Sequence, residues 1–272
     1  MSPEPGISIV VTVKNEEENI AKFLESLKAQ EMPFEVIVVD SESIDRTREI
    51  VLGYGEYIPL NYIRINCSRG KGRNIGSMEA KFPYLLFLDG DCTADANLLH
   101  NLRKLILKGP DIIAGKTTLI GPGKYSTLKR VTLFVNGFEV TSPSSNLCYR
   151  RSKFKELGGF NESMVTAEDI DLNIRAIRSG AVAVSCEECN VNAFTRESSW
   201  SFMRQGFWNG YGRGQLRLIH SKDWSGIIKG QIVGNSWTAA NFLRLLSGFT
   251  GYVYALLKRG KYPRKIRSDN PS

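Results

Sequence analysis

Residues 84–92 read YLLFLDGDC. The short apolar run at 84–88 predicts a buried β-strand that stops on Asp89-Gly90-Asp91, where the glycine lets both carboxylates leave the strand end without a bulky neighbour. The same pattern repeats upstream. Residues 7–13 form a short β-branched strand, followed by Asn15 and acids and then by helical spacing at Ile20, Phe23, Leu24 and Leu27. Residues 35–40 (EVIVVD) are a second strand ending on an acid, and 43–52 resume helical spacing from a serine cap. Residues 60–66 predict a third strand and 72–81 a helix. Strands alternating with helices predict an α/β fold on a mostly parallel sheet flanked by helices. Ligands of such sheets sit outside the carboxyl ends of the strands, so residues 12–16, Asp40 and residues 89–91 are expected at one crevice.

Downstream the spacing is less regular. Residues 98–107 predict a helix, 111–116 a short strand, 121–123 a Gly-rich loop and 142–149 another strand. Residues 153–157 form a short helix closed by Gly158 and Gly159, and 167–179 an amphipathic helix stopped by Gly180. With 272 residues and 42% hydrophobic content the chain can bury a full core. It divides into one large domain, residues 1–220, and an appendage, residues 221–272. The start MSPEPG has no apolar leader and the cysteines number five, so a reducing cytosolic setting is expected. Cys186 and Cys189 make a lone CxxC, and the only histidines, His100 and His220, have no zinc-motif spacing to it.

Three constellations can carry chemistry. Asp89 and Asp91 offer hard oxygens suited to Mg²⁺ or Mn²⁺. Such an ion keeps waters and borrows phosphate oxygens, so one or two protein carboxylates could hold it against a nucleotide diphosphate. The same Asp-Gly turn is also ordinary loop chemistry. In TAEDIDLNIRAIRSG (166–180), Glu168, Asp169 and Asp171 open a helix. Three acids exceed what the helix dipole asks for, and one directed into the cleft could take a proton from an acceptor hydroxyl. SRGKGRNIGSMEA (68–80) sets Arg69, Lys71 and Arg73 among glycines just ahead of a helix, a setting suited to phosphate. It lacks the GxxxxGK[ST] spacing, which argues against a P-loop ATPase.

In this order the motifs resemble the inverting family 2 glycosyltransferases, and the resemblance runs from residue 7 to about residue 215. SIVVTVKNEEENI (8–20) is similar to the family's first strand and nucleotide loop, and EVIVVDSESIDRT (35–47) to its second strand with a base-recognising acid. GKGRNIG (70–76) resembles its basic signature, LFLDGDC (86–92) its DXD strand, and GGFNESMVTAEDIDLNIRAIRSG (158–180) its acceptor loop with a Glu-Asp pair. The resemblance implies a GT-A fold and a metal-dependent transfer of a hexosyl group from a nucleotide-sugar donor to an acceptor hydroxyl or phosphate. Thr12, Lys14 and Glu16 would line the nucleoside site, Asp40 would bond the base, and Arg73 would touch base or phosphate. Asp89 and Asp91 would serve ribose and metal, Asp169 would be the base and Glu168 its support. Where relatives often present a histidine, CNVNAFTRES (189–198) offers Asn190, Asn192 and Thr195, which leaves a third metal ligand unassigned. RQGFWNGYGRG (204–214) lacks the Arg-Trp of the processive QxxRW signature, which implies a non-processive enzyme. Its aromatics, with Trp200 and Phe202, could pack as core or form a platform for sugar or lipid, and Arg204 and Arg213 could reach phosphate or stay solvated.

The net charge of +8 is concentrated at the end: residues 258–267 hold Lys258, Arg259, Lys261, Arg264, Lys265 and Arg267 without an acid. Before them, residues 230–257 are mostly apolar, with Arg244 the single charge. Gln231, Asn235, Ser236, Thr238, Asn241 and Arg244 dilute the span, so an interfacial amphipathic helix with Trp237, Phe242, Leu243 and Leu246 is expected in place of a crossing. That reading places the protein in the cytoplasm at the inner face of the cell membrane, with a glycan or lipid-linked acceptor and no nucleic-acid partner. The same apolar face could instead dock within the fold or against a second copy in a homo-oligomer. Two other classes share parts of the pattern: a nucleotidyltransferase, which would want a Gly-rich motif where TVKNEEEN (12–19) stands, and a non-catalytic lipid- or nucleic-acid-binding module.

Overall fold

The computed structural model describes residues 4–120, 132–194, 199–221, 224, 227–229 and 239–258. Three βα units open the chain: β1 (Ile7–Val13), α1 (Ile20–Lys28), β2 (Phe34–Asp40), α2 (Thr47–Gly53), β3 (Leu60–Arg64) and α3 (Arg69–Glu79). Then come β4 (Tyr84–Asp89), β5 (Cys92–Ala94), α4 (Leu98–Ile106), β6 (Ile112–Ile120), β7 (Leu133–Val135), β8 (Phe138–Glu139) and β9 (Asn146–Arg150). The chain continues with α5 (Arg151–Glu156), α6 (Glu168–Arg178), β10 (Ala183–Phe194), α7 (Ser199–Ile219), β11 (Ile228–Lys229) and α8 (Ala239–Leu257).

Eight strands form one sheet in the order β3-β2-β1-β4-β9-β6-β10-β5, and β11-β7-β8 make a small second sheet. The chain builds outward from β1 to β3, then returns to lay β4 on the other side of β1, so strand order reverses between β1 and β4. Strands β1 to β4 pair in parallel. Strand β9 runs antiparallel between β4 and β6, and β5 antiparallel to β10. The sheet is therefore mostly parallel and flanked by helices, as the alternation predicted.

Both faces of the central strands are covered, which is why β1, β2 and β4 read as unbroken apolar runs. Ile9, Val11, Val36, Val38, Leu86 and Leu88 point to one core, where α1 seats Ile20, Phe23, Leu24 and Leu27. Val10, Ile37, Val39, Leu85 and Phe87 point to the other, with Leu172, Ile174 and Ile177 of α6. Each such fully buried side chain contributes about 1.5–3 kcal/mol, so the six strand residues on one face alone outweigh any single polar contact at the site.

Helix α3 begins earlier than its sequence suggests. The glycines of GKGRNIG lie inside its first turns instead of in a loop ahead of it. The cause is packing: a Cβ on Gly76 would come within 2.5 Å of Val10 Cγ1, and one on Gly72 within 2.8 Å of Thr12 Cγ2. Glycine lets α3 lie close on β1 and β2, and Ser68 caps the helix by accepting from the Lys71 amide at 3.4 Å. Cys186 and Cys189, the lone CxxC, are joined in a disulfide across the bulge of β10. The Gly-rich loop at 121–123, Thr195, residues 230–238 and the basic run beyond Lys258 lie outside the described residues.

Candidate active site

Strand register brings the first groups together. Thr12 is paired with Asp89 and Val13 with Asp40, so three strand ends finish level with one another at the reversal of strand order, where open α/β sheets bind ligands. The loops that follow are laced to each other. Asn15 and Glu42 hold left-handed backbone, Asn15 N–H donates to Ser43 Oγ at 2.9 Å, and Glu16 N–H donates to Thr47 Oγ1 at 2.8 Å. This leaves Lys14 exposed and Thr12 and Glu16 half-buried along the rim.

Asp40 is engaged by protein donors on both carboxylate oxygens. It is 0% exposed; Oδ1 accepts from the amide and hydroxyl of Ser43 at 2.8 and 2.7 Å, and Oδ2 accepts from the Tyr62 hydroxyl at 2.5 Å. In this structure it organises the loop after β2, and burial together with the Asp40 bond pushes the Tyr62 phenol well up.

Arg73 likewise faces inward. Its side chain is 0% exposed and forks between Asp89 Oδ1 at 2.8 Å and Glu168 Oε1 at 3.0 Å. Both terminal nitrogens of the guanidinium are thus engaged and tie the DXD turn to the acids of α6, while its Nε is buried without a hydrogen-bond partner among the described residues. Beneath it the Phe160 ring centroid lies 5.5 Å from the guanidinium carbon. Asn74, one residue on, fixes the preceding loop by bonding both the N–H and the oxygen of Phe160 at 2.9 Å.

The helix-opening acids divide by environment. Glu168 is 5% exposed and paired with Arg73. Burial, then the neighbouring Asp169 charge, pushes its carboxyl up against the opposing pull of Arg73 and Arg69. Asp169 is half-buried; its Oδ2 accepts from the amide and hydroxyl of Ser144 at 3.1 and 3.3 Å, and its Oδ1 from the Ile170 amide at 2.8 Å. Ser144 lies just before β9, whose Asn146 pairs with Leu88 of β4, so Asp169 is held beside the strand that carries Asp89. Arg69, at the start of α3, has its pKa raised by Asp89 first and, against burial, by Glu168, Asp169 and Asp91. All four carboxylates thus belong to one charge cluster with Arg69.

Asp171 takes no part in it. It is fully buried, accepts from His220 Nε2 at 2.9 Å and Arg175 Nε at 2.9 Å, and knits α6 to the end of α7. Arginine only donates, so the 3.1 Å contact of Arg178 with His220 Nδ1 makes that nitrogen the acceptor and Nε2–H the donor.

Ala167, just before Glu168, holds a left-handed backbone at φ 63°, which costs a non-glycine residue about 1–2 kcal/mol. Gly212 of α7 packs on this turn: a Cβ there would lie 2.8 Å from Thr166 Cγ2 and 2.9 Å from Ala167 Cβ. Ser144, Ala167 and Gly212 carry no local signal of these contacts, because each acts through a partner at least 25 residues away or through backbone shape.

Among the described residues no three His, Cys, Asp or Glu side chains converge to cage a metal. Asp89 and Asp91 fit an ion that arrives with phosphate oxygens, the usual habit of Mg²⁺ and Mn²⁺ at diphosphates. Asn190 and Asn192 add no ligand: both donate to Asp95 at 2.9 Å, and Asn190 also accepts from Thr118 at 2.7 Å.

The family model described as Glycosyl transferase family 2 matches residues 8–160. Glycosyltransferase AglE of Haloferax volcanii is 28% identical over 190 residues, covering 65% of this chain and 62% of AglE. A poly-beta-1,6-N-acetyl-D-glucosamine synthase of Staphylococcus epidermidis is 24% identical over 184 residues, 61% of this chain and 44% of the synthase. The chain thus spans less than two thirds of the length of these relatives. Among solved structures, S. aureus TarS 1–349 in complex with UDP-GlcNAc superposes with TM-score 0.63 at 21% identity, covering 93% of this chain and 80% of TarS 1–349. Mannosyltransferase PcManGT from Pyrobaculum calidifontis, in complex with GDP-Man and Mn²⁺, superposes with TM-score 0.65 at 16% identity, covering 94% of this chain and 75% of its own. These likenesses show the GT-A fold.

Proposed function

The chain belongs to glycosyl transferase family 2, and from that premise we propose that it transfers a sugar from a nucleotide-sugar donor to an acceptor hydroxyl or phosphate with inversion. The observation that carries the proposal is the Arg73 fork, which joins Asp89 of the DXD turn to Glu168 of the Glu-Asp pair.

In this reading the donor lies along the strand ends, with Thr12, Lys14 and Glu16 around the nucleoside, Asp40 shaping the base pocket through Ser43, and Asp89 at the ribose. Asp89 and Asp91 would hold Mg²⁺ or Mn²⁺ with the diphosphate, whose leaving charge the ion neutralises when bound. Asp169 takes the proton from the acceptor as its oxygen attacks the anomeric carbon opposite the leaving group. Ser144 and the Ile170 amide hold that carboxylate in place, which preserves its aim without occupying every lone pair. Glu168, buried and bound to Arg73, supports the arrangement and does not face the acceptor. A lipid-linked or cell-surface glycan precursor is the proposed acceptor class, met at the cytoplasmic membrane face.

A release assay over a panel of nucleotide sugars, with and without Mn²⁺, tests the proposal. It expects nucleoside diphosphate from one or a few donors, stimulated by the ion in the parent and no longer in Asp91→Ala. Release of pyrophosphate, or undiminished metal stimulation of Asp91→Ala, contradicts it.

A further inference from the structure

Helices α7 and α8 lie side by side along a seam of small residues. A Cβ on Gly210 would overlap the Gly248 oxygen, one on Gly251 the Phe207 oxygen, and one on Gly214 would lie 2.6 Å from Ala255 Cβ. A glycine seam brings the backbones together without large side chains between them. The large apolar groups therefore go elsewhere: Phe242, Leu243, Leu245, Leu246, Phe249 and Leu257 of α8 are exposed, Phe249 at 65% and Leu257 at 79%. Phe242, Leu245, Leu246 and Phe249 follow i, i+3, i+4, i+7 spacing and share one face.

The two helices and the run that follows them in sequence carry charge of one sign. Neither helix contains Asp or Glu, both contain Arg, and residues 258–267 continue from α8 with six cations and no acid. A two-fold pairing of copies through this face would juxtapose cationic hairpins with no acid in either helix to offset them. An anionic bilayer offers both complements, an acyl boundary for the rings and head groups for the cations. Among the described residues no helix is long and apolar enough to cross a membrane, so contact is along the surface.

We infer that the α7–α8 hairpin is a single docking unit for an anionic lipid surface. Through Gly212 the same unit braces the Thr166–Ala167 turn that leads into Glu168 and Asp169, so docking brings the Asp169 side of the cleft to the lipid. An acceptor carried by a lipid would then present its hydroxyl or phosphate there; this last step rests on the proposed glycosyl transfer, whereas the docking does not.

The full chain is mixed with vesicles of phosphatidylcholine alone or with phosphatidylglycerol, at low and high salt, and sedimented. The inference expects binding only to the anionic vesicles, weakened by salt. It expects a loss of about tenfold or more in Phe242→Asp/Phe249→Asp, and likewise in the charge variant Lys261→Ser/Arg264→Ser/Lys265→Ser/Arg267→Ser. A chain that stays in solution with anionic vesicles, variants that bind like the parent, or a dimer in analytical ultracentrifugation that Phe249→Asp dissociates would each overturn it. Calorimetry with nucleotide sugars in the absence of lipid separates the two ideas: lipid binding without donor binding sinks the glycosyl transfer alone, and donor binding without lipid binding sinks the docking alone.

Discussion

Replacing Arg73 by methionine would leave Asp89 and Glu168 without the cation that lies between them. Breaking a buried ion pair from one side costs about 3–5 kcal/mol, so the denaturant midpoint of Arg73→Met should fall by that equivalent, and Arg73→Lys should fall less because an ammonium can still meet one carboxylate. A midpoint unchanged in Arg73→Met would remove the fork from the account. Asp171 gives the pH-dependent counterpart. Burial pushes its carboxyl up, yet the His220 bond and the Arg175 charge outweigh burial and hold it below the usual range. A depressed folded value stabilises the fold above the unfolded carboxylate range and is lost as pH falls through that depressed value. Asp171→Asn should therefore cost about 3 kcal/mol at neutral pH, and the gap to the parent should narrow below about pH 4; a gap constant with pH in urea titrations would contradict this. The places of Asp89, Asp91 and Asp169, at a strand end and a helix start, were legible in the sequence because their motifs are local. The buried positions of Asp40 and Arg73 were not, since both depend on partners across the fold: Tyr62 for one, Glu168 for the other.

Helix α3 shows what local pattern can and cannot convey. Its glycines read as a setting for phosphate, and in the structure Gly72 and Gly76 also let the helix approach β1 and β2 closely. Gly76→Ala tests this with two opposed effects: alanine's helix propensity favours it by about 1 kcal/mol, while a methyl 2.5 Å from Val10 Cγ1 overpacks the core at about 1–3 kcal/mol. Net destabilisation is expected in thermal unfolding, and a stabilised variant would mean the helix has room to shift. Strands β1, β2 and β4 were legible because burial on both faces leaves unbroken β-branched and aliphatic runs. The insertion of β9 between β4 and β6 was not, because pairing partners are chosen across the sheet and leave no mark within NLCYR.

Across the molecule, the proposed transfer assigns the donor side to the reversal of strand order between β1 and β4, and the acceptor side to α6, held by Ser144, Arg73 and α7. The Arg73 fork between Asp89 and Glu168 is where the two meet. If Asp169 is the base at that meeting point, its amide variant keeps the shape of the hollow and loses only the proton acceptor. Nucleoside diphosphate release by Asp169→Asn, measured beside its donor affinity, should drop by about 10²–10⁴-fold with donor binding intact. Release within a few-fold of the parent would show that another group takes the proton and that Asp169 stands outside the chemistry.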